Sequence, residues 1–270
     1  MQYTRLKNGR EIPLIGFGTY KVDDPHAAAQ TVKAALAAGY RLLDTAAYYG
    51  TEEFVGEGLR QSGLARKDVF ITTKVWNDRH GYDETLKAFD ESLQKLGTDY
   101  VDLYLIHWPK EQNVQTWQAL ETLYKEGRAK AIGVSNFKEH HLDEILQEAD
   151  ITPMVNQVEY HPLFQQKTLK EYCGRLGIKL QAYSPLMRGE ALKPALIQKL
   201  ADKYNKTPSQ IVLRWDIQSG VIPTPKSAHT ARMRENISVF DFTLDEADMA
   251  QIAALDEGKH LGADPDKVDF

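Results

Sequence analysis

Short apolar segments alternate with longer segments of helical periodicity along most of the chain. The short segments are apolar nearly throughout rather than at every second residue, which is the pattern of parallel strands covered on both faces. Eight strands are predicted in this way, at Ile15–Gly18, Arg41–Asp44, Val69–Lys74, Val101–His107, Ala129–Val134, Met154–Val158, Lys179–Tyr183 and Val221–Thr224. The predicted helices include Pro25–Ala38, Glu52–Gln61, Glu84–Leu96, Val114–Glu126, Glu139–Glu148 and Thr243–Leu255.

The order of these elements predicts a (β/α)8 barrel. Eight strand–helix units in succession favour a closed barrel over an open, doubly wound sheet. Before the first barrel strand, residues Tyr3–Leu14 alternate about Asn8-Gly9, which predicts an N-terminal β-hairpin. No linker rich in proline, glycine or serine divides the sequence, so residues 1–270 are predicted to form one domain that ends in a polar tail.

Composition and charge narrow the class of protein. The 270 residues are 42% hydrophobic and carry a formal net charge of −5, so a large core is expected and nucleic acid is not an expected partner. Cys173 is the only cysteine, which excludes an intrachain disulfide and a thiolate metal cluster. The sequence has no apolar signal core and no membrane-length apolar run, so we expect a cytoplasmic protein that does not bind membranes.

Polar residues follow the predicted strands at the ends where the active sites of barrel enzymes lie. They are Asp44, Lys74, His107, Ser135, Asn136, Gln157, Glu159, Tyr183, Ser184, Lys226 and Ser227. Each one alone could be a hydrogen-bonded core residue, but their convergence on one rim indicates a functional site. Asn136 is also placed to cap the helix at Glu139–Glu148.

Four residues at this rim suit the reduction of a carbonyl group. Tyr49 lies on the loop after Asp44, and a tyrosine pKa of about 10 is too high for efficient proton transfer near neutral pH. A nearby Lys74 ammonium would lower that pKa, and Asp44 would hold and orient the lysine. His107 could donate a hydrogen bond to the carbonyl oxygen as it becomes negative. These residues supply no hydride, so a redox cofactor is required.

Two other kinds of site fit the sequence poorly. Ile15–Tyr20 contains two glycines spaced like the start of a dinucleotide-binding fingerprint, but no third glycine and no helix follow at the required positions. No His-x-His pair lies on an early strand, and His140-His141 fall at a helix start rather than at a strand end. No metal is therefore expected.

The motifs around these residues resemble those of the aldo-keto reductases, and in particular the bacterial group that includes 2,5-diketo-D-gluconic acid reductases. The resemblance extends from about Ile12 to Asp241, through GFGTYKV, DTAAYYGTEEFVG, FITTKVW, DLYLIHWP, IGVSNF, VNQVEYHP and PKSAHTARMREN. It implies a monomeric (β/α)8 barrel with a C-terminal substrate loop. It also implies NADPH-dependent reduction of aldehydes or ketones, such as α-dicarbonyls and keto-sugars, to alcohols.

The resemblance assigns roles to particular residues. The catalytic residues are then Asp44, Tyr49, Lys74 and His107, with Tyr49 as the general acid. The cofactor-binding residues are then Ser135, Asn136, Gln157, Tyr183, Ser184, Lys226, Ser227, Arg232, Glu235 and Asn236. The aromatic residues expected in the substrate pocket are Tyr20, Tyr48, Trp76 and Trp108.

The cofactor preference follows from the charges near the last strand. Lys226 and Arg232, near the start of a helix, suit the 2′-phosphate of NADPH. His229 stands where related reductases carry arginine, and a neutral imidazole binds phosphate more weakly, so some use of NADH is also expected. The alternative is a cofactor-binding sensor on the same fold, similar to the potassium-channel β subunits. The complete set of four catalytic residues favours the enzyme.

Overall fold

The computed structural model describes residues 1–22 and 25–270. Its first element is the predicted hairpin, in which β1 (Tyr3–Arg5) pairs antiparallel with β2 (Glu11–Pro13). Leu6 and Ile12 are buried in one apolar cluster with residues from the barrel strands, such as Leu42 and Phe70. The hairpin is therefore packed on the barrel rather than left as an exposed ribbon.

Eight parallel strands follow the hairpin and form one sheet in chain order. They are β3 (Phe17–Gly18), β4 (Leu42–Asp44), β5 (Phe70–Val75), β6 (Leu103–Ile106), β7 (Ile132–Ser135), β8 (Val155–Glu159), β9 (Lys179–Tyr183) and β10 (Ile222–Pro223). The N–H groups of Gly16 and Gly18 donate to the carbonyl groups of Pro223 and Pro225 at 2.9 and 3.2 Å. The last strand thus meets the first, and the predicted (β/α)8 barrel is confirmed.

Helices cover the barrel on its outside. They are α1 (Pro25–Ala37), α2 (Glu52–Ser62), α3 (Tyr82–Leu96), α4 (Asn113–Lys125), α5 (Glu139–Leu146), α6 (Lys167–Leu176), α7 (Ala195–Tyr204), α8 (Pro208–Gln218), α9 (Thr230–Ile237) and α10 (Glu246–Ala253). The start of α8 shows why the sequence begins a helix there. Thr207 Oγ1 accepts from the N–H of Gln210, Gln210 Oε1 accepts from the N–H of Thr207, and Pro208 occupies the first helical position.

The strand at Lys179–Tyr183 has its predicted bounds, whereas the other seven strands begin later than their apolar runs predict. The run at Val101–His107 forms a strand only from Leu103, and Val101 makes an isolated bridge to Ala129. Asp102 replaces one backbone bond of the ladder with a side-chain bond. Its N–H donates to the carbonyl oxygen of Ile71, but its carboxylate accepts from the N–H of Ile71, both at 3.0 Å. Among the residues described here, no helix is both long enough and apolar enough to span a membrane.

Candidate active site

Four of the predicted residues meet at the C-terminal end of the barrel. Asp44 ends β4, Lys74 lies near the end of β5, His107 follows β6, and Tyr49 lies on the helical turn after β4. Parallel strands that are neighbours in a barrel have their carboxyl ends at one rim. Residues far apart in sequence therefore come within hydrogen-bonding or van der Waals distance of one another.

Lys74 is at the centre of this group. Its Nζ donates to Asp44 Oδ1 at 2.8 Å and to the carbonyl oxygen of Thr45 at 2.9 Å, and it lies 3.5 Å from Tyr49 Oη. The side chain is fully buried. Burial lowers the pKa of Lys74 below its ordinary value, while the charges of Asp44 and Glu52 oppose this change. The ion pair with Asp44 is thus what favours an ammonium group at a site without access to solvent.

Tyr49 is a protonated phenol in this arrangement. Burial raises the pKa of Tyr49 well above its ordinary value, and Asp44, Tyr183 and Tyr20 raise it further. The lowering of this pKa expected from Lys74 is outweighed, because the loss of solvent and the carboxylate beside the lysine both disfavour a phenolate. Tyr49 therefore carries a proton that it can donate at neutral pH.

His107 packs against the tyrosine and is neutral. Its ring centroid lies 5.4 Å from that of Tyr49 and 5.0 Å from that of Trp76, both in edge-to-face geometry. Burial lowers the pKa of His107 well below its ordinary value, and the charges of Lys74 and His80 add to the effect. A neutral imidazole has one N–H group, which can donate to a substrate oxygen bound next to the Tyr49 hydroxyl.

Ser135 and Asn136 connect the ends of neighbouring strands. Ser135 Oγ donates to the carbonyl oxygen of Gln157 at 2.8 Å, and Asn136 Nδ2 donates to the carbonyl oxygen of His107 at 2.9 Å. The prediction that Asn136 caps α5 is wrong, because Lys138 is the N-cap. Asn136 has a φ of 63°, whereas a capping residue has an extended backbone. Its amide instead joins the loop after β7 to the end of β6.

Three further predicted cofactor residues lie within β8 and at the end of β9. Gln157 Nε2 donates to Asp44 Oδ2 at 2.6 Å and to Gln181 Oε1 at 2.9 Å. Tyr183 and Ser184 are both partly exposed, so each has surface available to a ligand. Gln157 therefore belongs to the hydrogen-bond network of the four catalytic candidates, which its position in the sequence did not indicate.

The predicted adenosine-phosphate clamp lies between β10 and α9. Lys226 and Arg232 are exposed there, at the end of α9 from which helical N–H groups project. Ser227 Oγ accepts from the N–H of His229 at 3.0 Å, and Glu235 Oε1 accepts from Thr207 Oγ1 at 2.7 Å. Asn236 is buried. Two exposed cations at a helix N-terminus are a donor set that fits a phosphate group.

Aromatic side chains surround the space above Tyr49. Tyr48 stacks on Trp76 with 3.8 Å between ring centroids, and the centroid of Tyr20 lies 4.9 Å from that of Tyr49. Phe270 also contacts two tryptophans. Its ring stacks on Trp76 with 5.8 Å between centroids, and it meets Trp108 edge-to-face with 5.3 Å between centroids. Phe270 was not predicted, because no local pattern in the sequence links it to either tryptophan.

Phe270 belongs to a segment, residues 258–270, that we call the C-terminal strap. The strap crosses the rim and meets the loops after β8, β7, β6 and β5 in that order. Its contacts are Leu261 and Gly262 with Glu159, Asp264 and Asp266 with Lys138, Val268 with Lys110, and Phe270 with Asn77. The predicted C-terminal substrate loop therefore lies beside the four catalytic candidates.

Three metal-type ligands also meet at the strap. The Nε2 atoms of His140 and His141 lie 3.0 and 3.3 Å from Asp266 Oδ1. The N–H of Lys138 donates to His141 Nδ1 at 3.2 Å, so a neutral His141 ring carries its proton on Nε2 and directs it at Asp266. The ammonium of Lys138 lies 2.6 Å from the same carboxylate. The two histidines and Lys138 therefore hold the strap in place through the carboxylate of Asp266.

Comparison with known proteins decides the family. The model of the Aldo/keto reductase family matches residues 14–257. The chain belongs to this family. The aldo-keto reductase described here is 51% identical over 267 residues to glyoxal reductase of Bacillus subtilis (strain 168), which covers 98% of this chain and 97% of the relative. The predicted family is confirmed, and the 2,5-diketo-D-gluconic acid reductase subgroup stays a prediction.

Two further similar proteins bear on the site. Methylglyoxal reductase DkgA of Salmonella typhimurium is 44% identical over 268 residues, which cover 97% of this chain and 96% of the relative. The crystal structure of a variant of Gox0644 in complex with NADPH is 42% identical, with a TM-score of 0.95 and coverage of 100% of this chain and 99% of that chain. Both proteins are therefore similar to this chain over nearly its whole length, including the residues of the candidate active site.

Proposed function

We propose that this aldo-keto reductase uses NADPH to reduce aldehydes and ketones to alcohols, with α-dicarbonyls and keto-sugars as the substrate class. The observation that carries this proposal is the position of Lys74 Nζ, a buried atom that lies 2.8 Å from Asp44 Oδ1 and 3.5 Å from Tyr49 Oη. Glyoxal and methylglyoxal, from which two relatives take their names, are α-dicarbonyls, and this supports the same class here.

In the proposed reaction Tyr49 protonates the carbonyl oxygen as it becomes an alkoxide. Its raised pKa keeps the phenol protonated at neutral pH, and an alkoxide is basic enough to take that proton. Lys74 stabilises the phenolate that remains, and Asp44 holds the lysine in its charged form. Neutral His107 orients the carbonyl oxygen through its N–H group. When bound, NADPH supplies the hydride.

The proposed cofactor site extends from the catalytic group to α9. Tyr183 would stack on the nicotinamide, and the 2′-phosphate would lie between Lys226 and Arg232. The remaining cofactor contacts would come from Ser135, Asn136, Gln157, Ser184, Ser227, Glu235 and Asn236. The NADPH complex of the Gox0644 variant supports the choice of cofactor. His229 in place of an arginine leaves some use of NADH within the proposal.

We also propose that residues 1–270 act as one domain and that the enzyme is a cytoplasmic monomer. Closure of all eight strands into one sheet supports the single domain. Size-exclusion chromatography with light scattering should give the mass of one chain, and twice that mass at micromolar concentration would reject the monomer. Fractionation of cells that express the protein should recover it with the cytoplasmic markers.

The proposed function is tested by the loss of the near-ultraviolet absorbance of the reduced nicotinamide. The purified protein is mixed with NADPH, and separately with NADH, and then with glyoxal, methylglyoxal, simple aldehydes or a keto-sugar. We expect turnover with carbonyls, faster with NADPH than with NADH. Tight cofactor binding without turnover on any carbonyl would reject the reductase and favour the sensor.

A further inference from the structure

Glu159 lies at the same rim of the barrel as the catalytic candidates and has no part in the chemistry proposed above. It is the last residue of β8, on the same rim as Asp44 and Lys74, and it is 3% exposed. A carboxylate that is buried to this extent is costly unless hydrogen-bond donors surround it. The groups that donate hydrogen bonds to the Glu159 carboxylate therefore indicate its role.

The donors to Glu159 come mainly from the backbone of the C-terminal strap. The N–H of Leu261 donates to Oε1 at 2.7 Å, and the N–H of Gly262 donates to Oε2 at 2.6 Å. Buried His161 has its Nε2 2.9 Å from Oε1. Burial alone would raise the pKa of Glu159, but these hydrogen bonds outweigh it and hold the pKa below its ordinary value. Both oxygens of an anionic Glu159 are thus bound to the strap.

Gly262 brings the strap against Tyr183. A Cβ atom at residue 262 would lie 2.8 Å from Tyr183 Oη and 2.9 Å from Glu159 Oε2, which is closer than a side chain tolerates. A side chain at this position would have to displace one of these two groups, whereas glycine lets the strap backbone approach both. Glu159, Gly262 and Tyr183 are therefore packed together, and Tyr183 carries the ring on which the nicotinamide is proposed to stack.

Among the polar contacts that hold the strap, the hydrogen bonds to Glu159 involve the most buried side chain. The ion pairs of Lys138 with Asp264 and Asp266 join side chains that are about a third exposed, so water screens them. Beyond these ion pairs the strap ends at Phe270, which contacts Trp76 and Trp108 beside the catalytic group. If the strap lost its contact with Glu159, Phe270 would be held less firmly against Trp76 and Trp108.

We propose that Glu159 is a positioning residue, which seats the C-terminal strap against Tyr183 and thereby shapes the wall of the carbonyl pocket. Glu159 touches neither the reacting atoms nor Lys74 in this role. Its loss should therefore weaken the binding of the carbonyl substrate more than it slows the chemical step. The kinetic part of this inference rests on the proposed function, whereas the seating of the strap does not.

The experiment uses Glu159→Gln and Gly262→Ala, with Glu171→Gln on the exposed surface of α6 as the control for lost charge. The seating of the strap is measured by trypsin cleavage after Lys259 and Lys267, followed by mass spectrometry. With charge-assisted hydrogen bonds removed, we expect cleavage of Glu159→Gln to be about tenfold faster, and the KM for methylglyoxal to rise about tenfold with kcat changed less than about twofold. Glu171→Gln should behave as the wild type.

Gly262→Ala should give the same pattern, and because it lies in the strap it tests the inference even if Glu159→Gln fails to fold. Cleavage and KM at wild-type values in both variants would overturn the proposal. Faster cleavage with an unchanged KM would also overturn it, because the strap would then be held by Glu159 without shaping the pocket. If the wild type reduces no carbonyl, the proposed function fails, and the cleavage rate alone decides whether Glu159 seats the strap.

Discussion

Gln157 Nε2 donates to Asp44 Oδ2 at 2.6 Å, across the barrel from β8 to β4. The other oxygen of the same carboxylate accepts from Lys74 at 2.8 Å, so Asp44 is held by a donor on each side. Gln157 is itself held by Gln181, which accepts from the same nitrogen at 2.9 Å. The lysine is therefore positioned by a network that extends over four strands rather than by a single ion pair.

Asp44→Asn should lower kcat for carbonyl reduction by on the order of 100-fold, because it leaves Lys74 buried without a counter-ion. Lys74 already has a lowered pKa, and loss of the carboxylate would lower it further. Initial rates at saturating NADPH measure the effect. Asp202→Asn, on the exposed face of α7, is the matched control. A kcat within threefold of the wild type would contradict the proposed role of the pair.

Tyr49→Phe should lower kcat by about 10²- to 10⁴-fold, because it removes the proton donor and keeps the ring. The Kd for NADPH, followed by quenching of protein fluorescence, should stay close to the wild-type value. Tyr48→Phe is the control, since this neighbouring phenol stacks on Trp76 and has no proposed part in proton transfer. Equal losses in both variants would show that packing, and not the acid, is responsible.

The protonation states of Tyr49 and His107 should not limit the rate of reduction from pH 6.5 to pH 10, so an alkaline decline would report loss of the Lys74 proton, since the pKa of Lys74 is lowered from its ordinary value of 10.5. The acid form of Tyr49 is lost only above its pKa, and that pKa is raised above the ordinary value of 10.0. The pKa of His107 is lowered, so its neutral form also persists below the ordinary value of 6.5. The dependence of kcat/KM on pH measures the acid side and the alkaline side of the profile. A decline centred near pH 6.5 would show that the direction for His107 is wrong in the working enzyme.

Arg232→Gln should raise the Kd for NADPH about tenfold by removing one charged contact to the 2′-phosphate. The Kd for NADH, which lacks that phosphate, should change little. Arg234→Gln offers the matched control, because Arg234 is also exposed and lies two residues further along α9. Fluorescence titration with each cofactor measures the constants. Equal weakening for NADPH and NADH in Arg232→Gln would mean that the phosphate binds elsewhere.

Asp216→Asn should raise the melting temperature at pH 8. Asp216 lies in α8, and within the described chain its buried carboxylate oxygens have no hydrogen-bond partner. Burial raises the pKa of Asp216 well above its ordinary value of 3.8, against the opposing charge of Lys170. Above pH 3.8 the unfolded chain releases this proton while the folded chain retains it, so ionisation favours unfolding.

The gain from Asp216→Asn should therefore shrink as the pH falls toward 4, because the carboxyl group of the unfolded chain then begins to take up a proton as well. Melting curves followed by circular dichroism from pH 4 to pH 8 test this dependence. The exposed Asp202→Asn again serves as the control. A gain of the same size at both ends of the range would mean that the effect does not come from ionisation.

The sequence by itself determined the barrel and the rim on which Asp44, Lys74 and His107 lie. Apolar runs that end in polar residues are a local pattern, and eight of them in alternation with helices have one closed arrangement that buries both faces of the sheet. The exact strand bounds did not follow from the sequence. The carboxylate of Asp102 accepts from the N–H of Ile71, and this contact between β5 and the start of β6 exists only in the folded sheet.

Tertiary structure alone decided how these residues act on one another. The pKa of Tyr49 is set by burial and by charges on other elements, so its direction follows from distances that the sequence does not contain. The backbone of Asn136 is left-handed because its amide is bound to the carbonyl oxygen of His107 on a neighbouring strand. The C-terminal strap has no periodicity of its own. Its contacts with Glu159 and Trp76 exist because the neighbouring parallel strands β5 to β8 end at one rim, which the strap crosses.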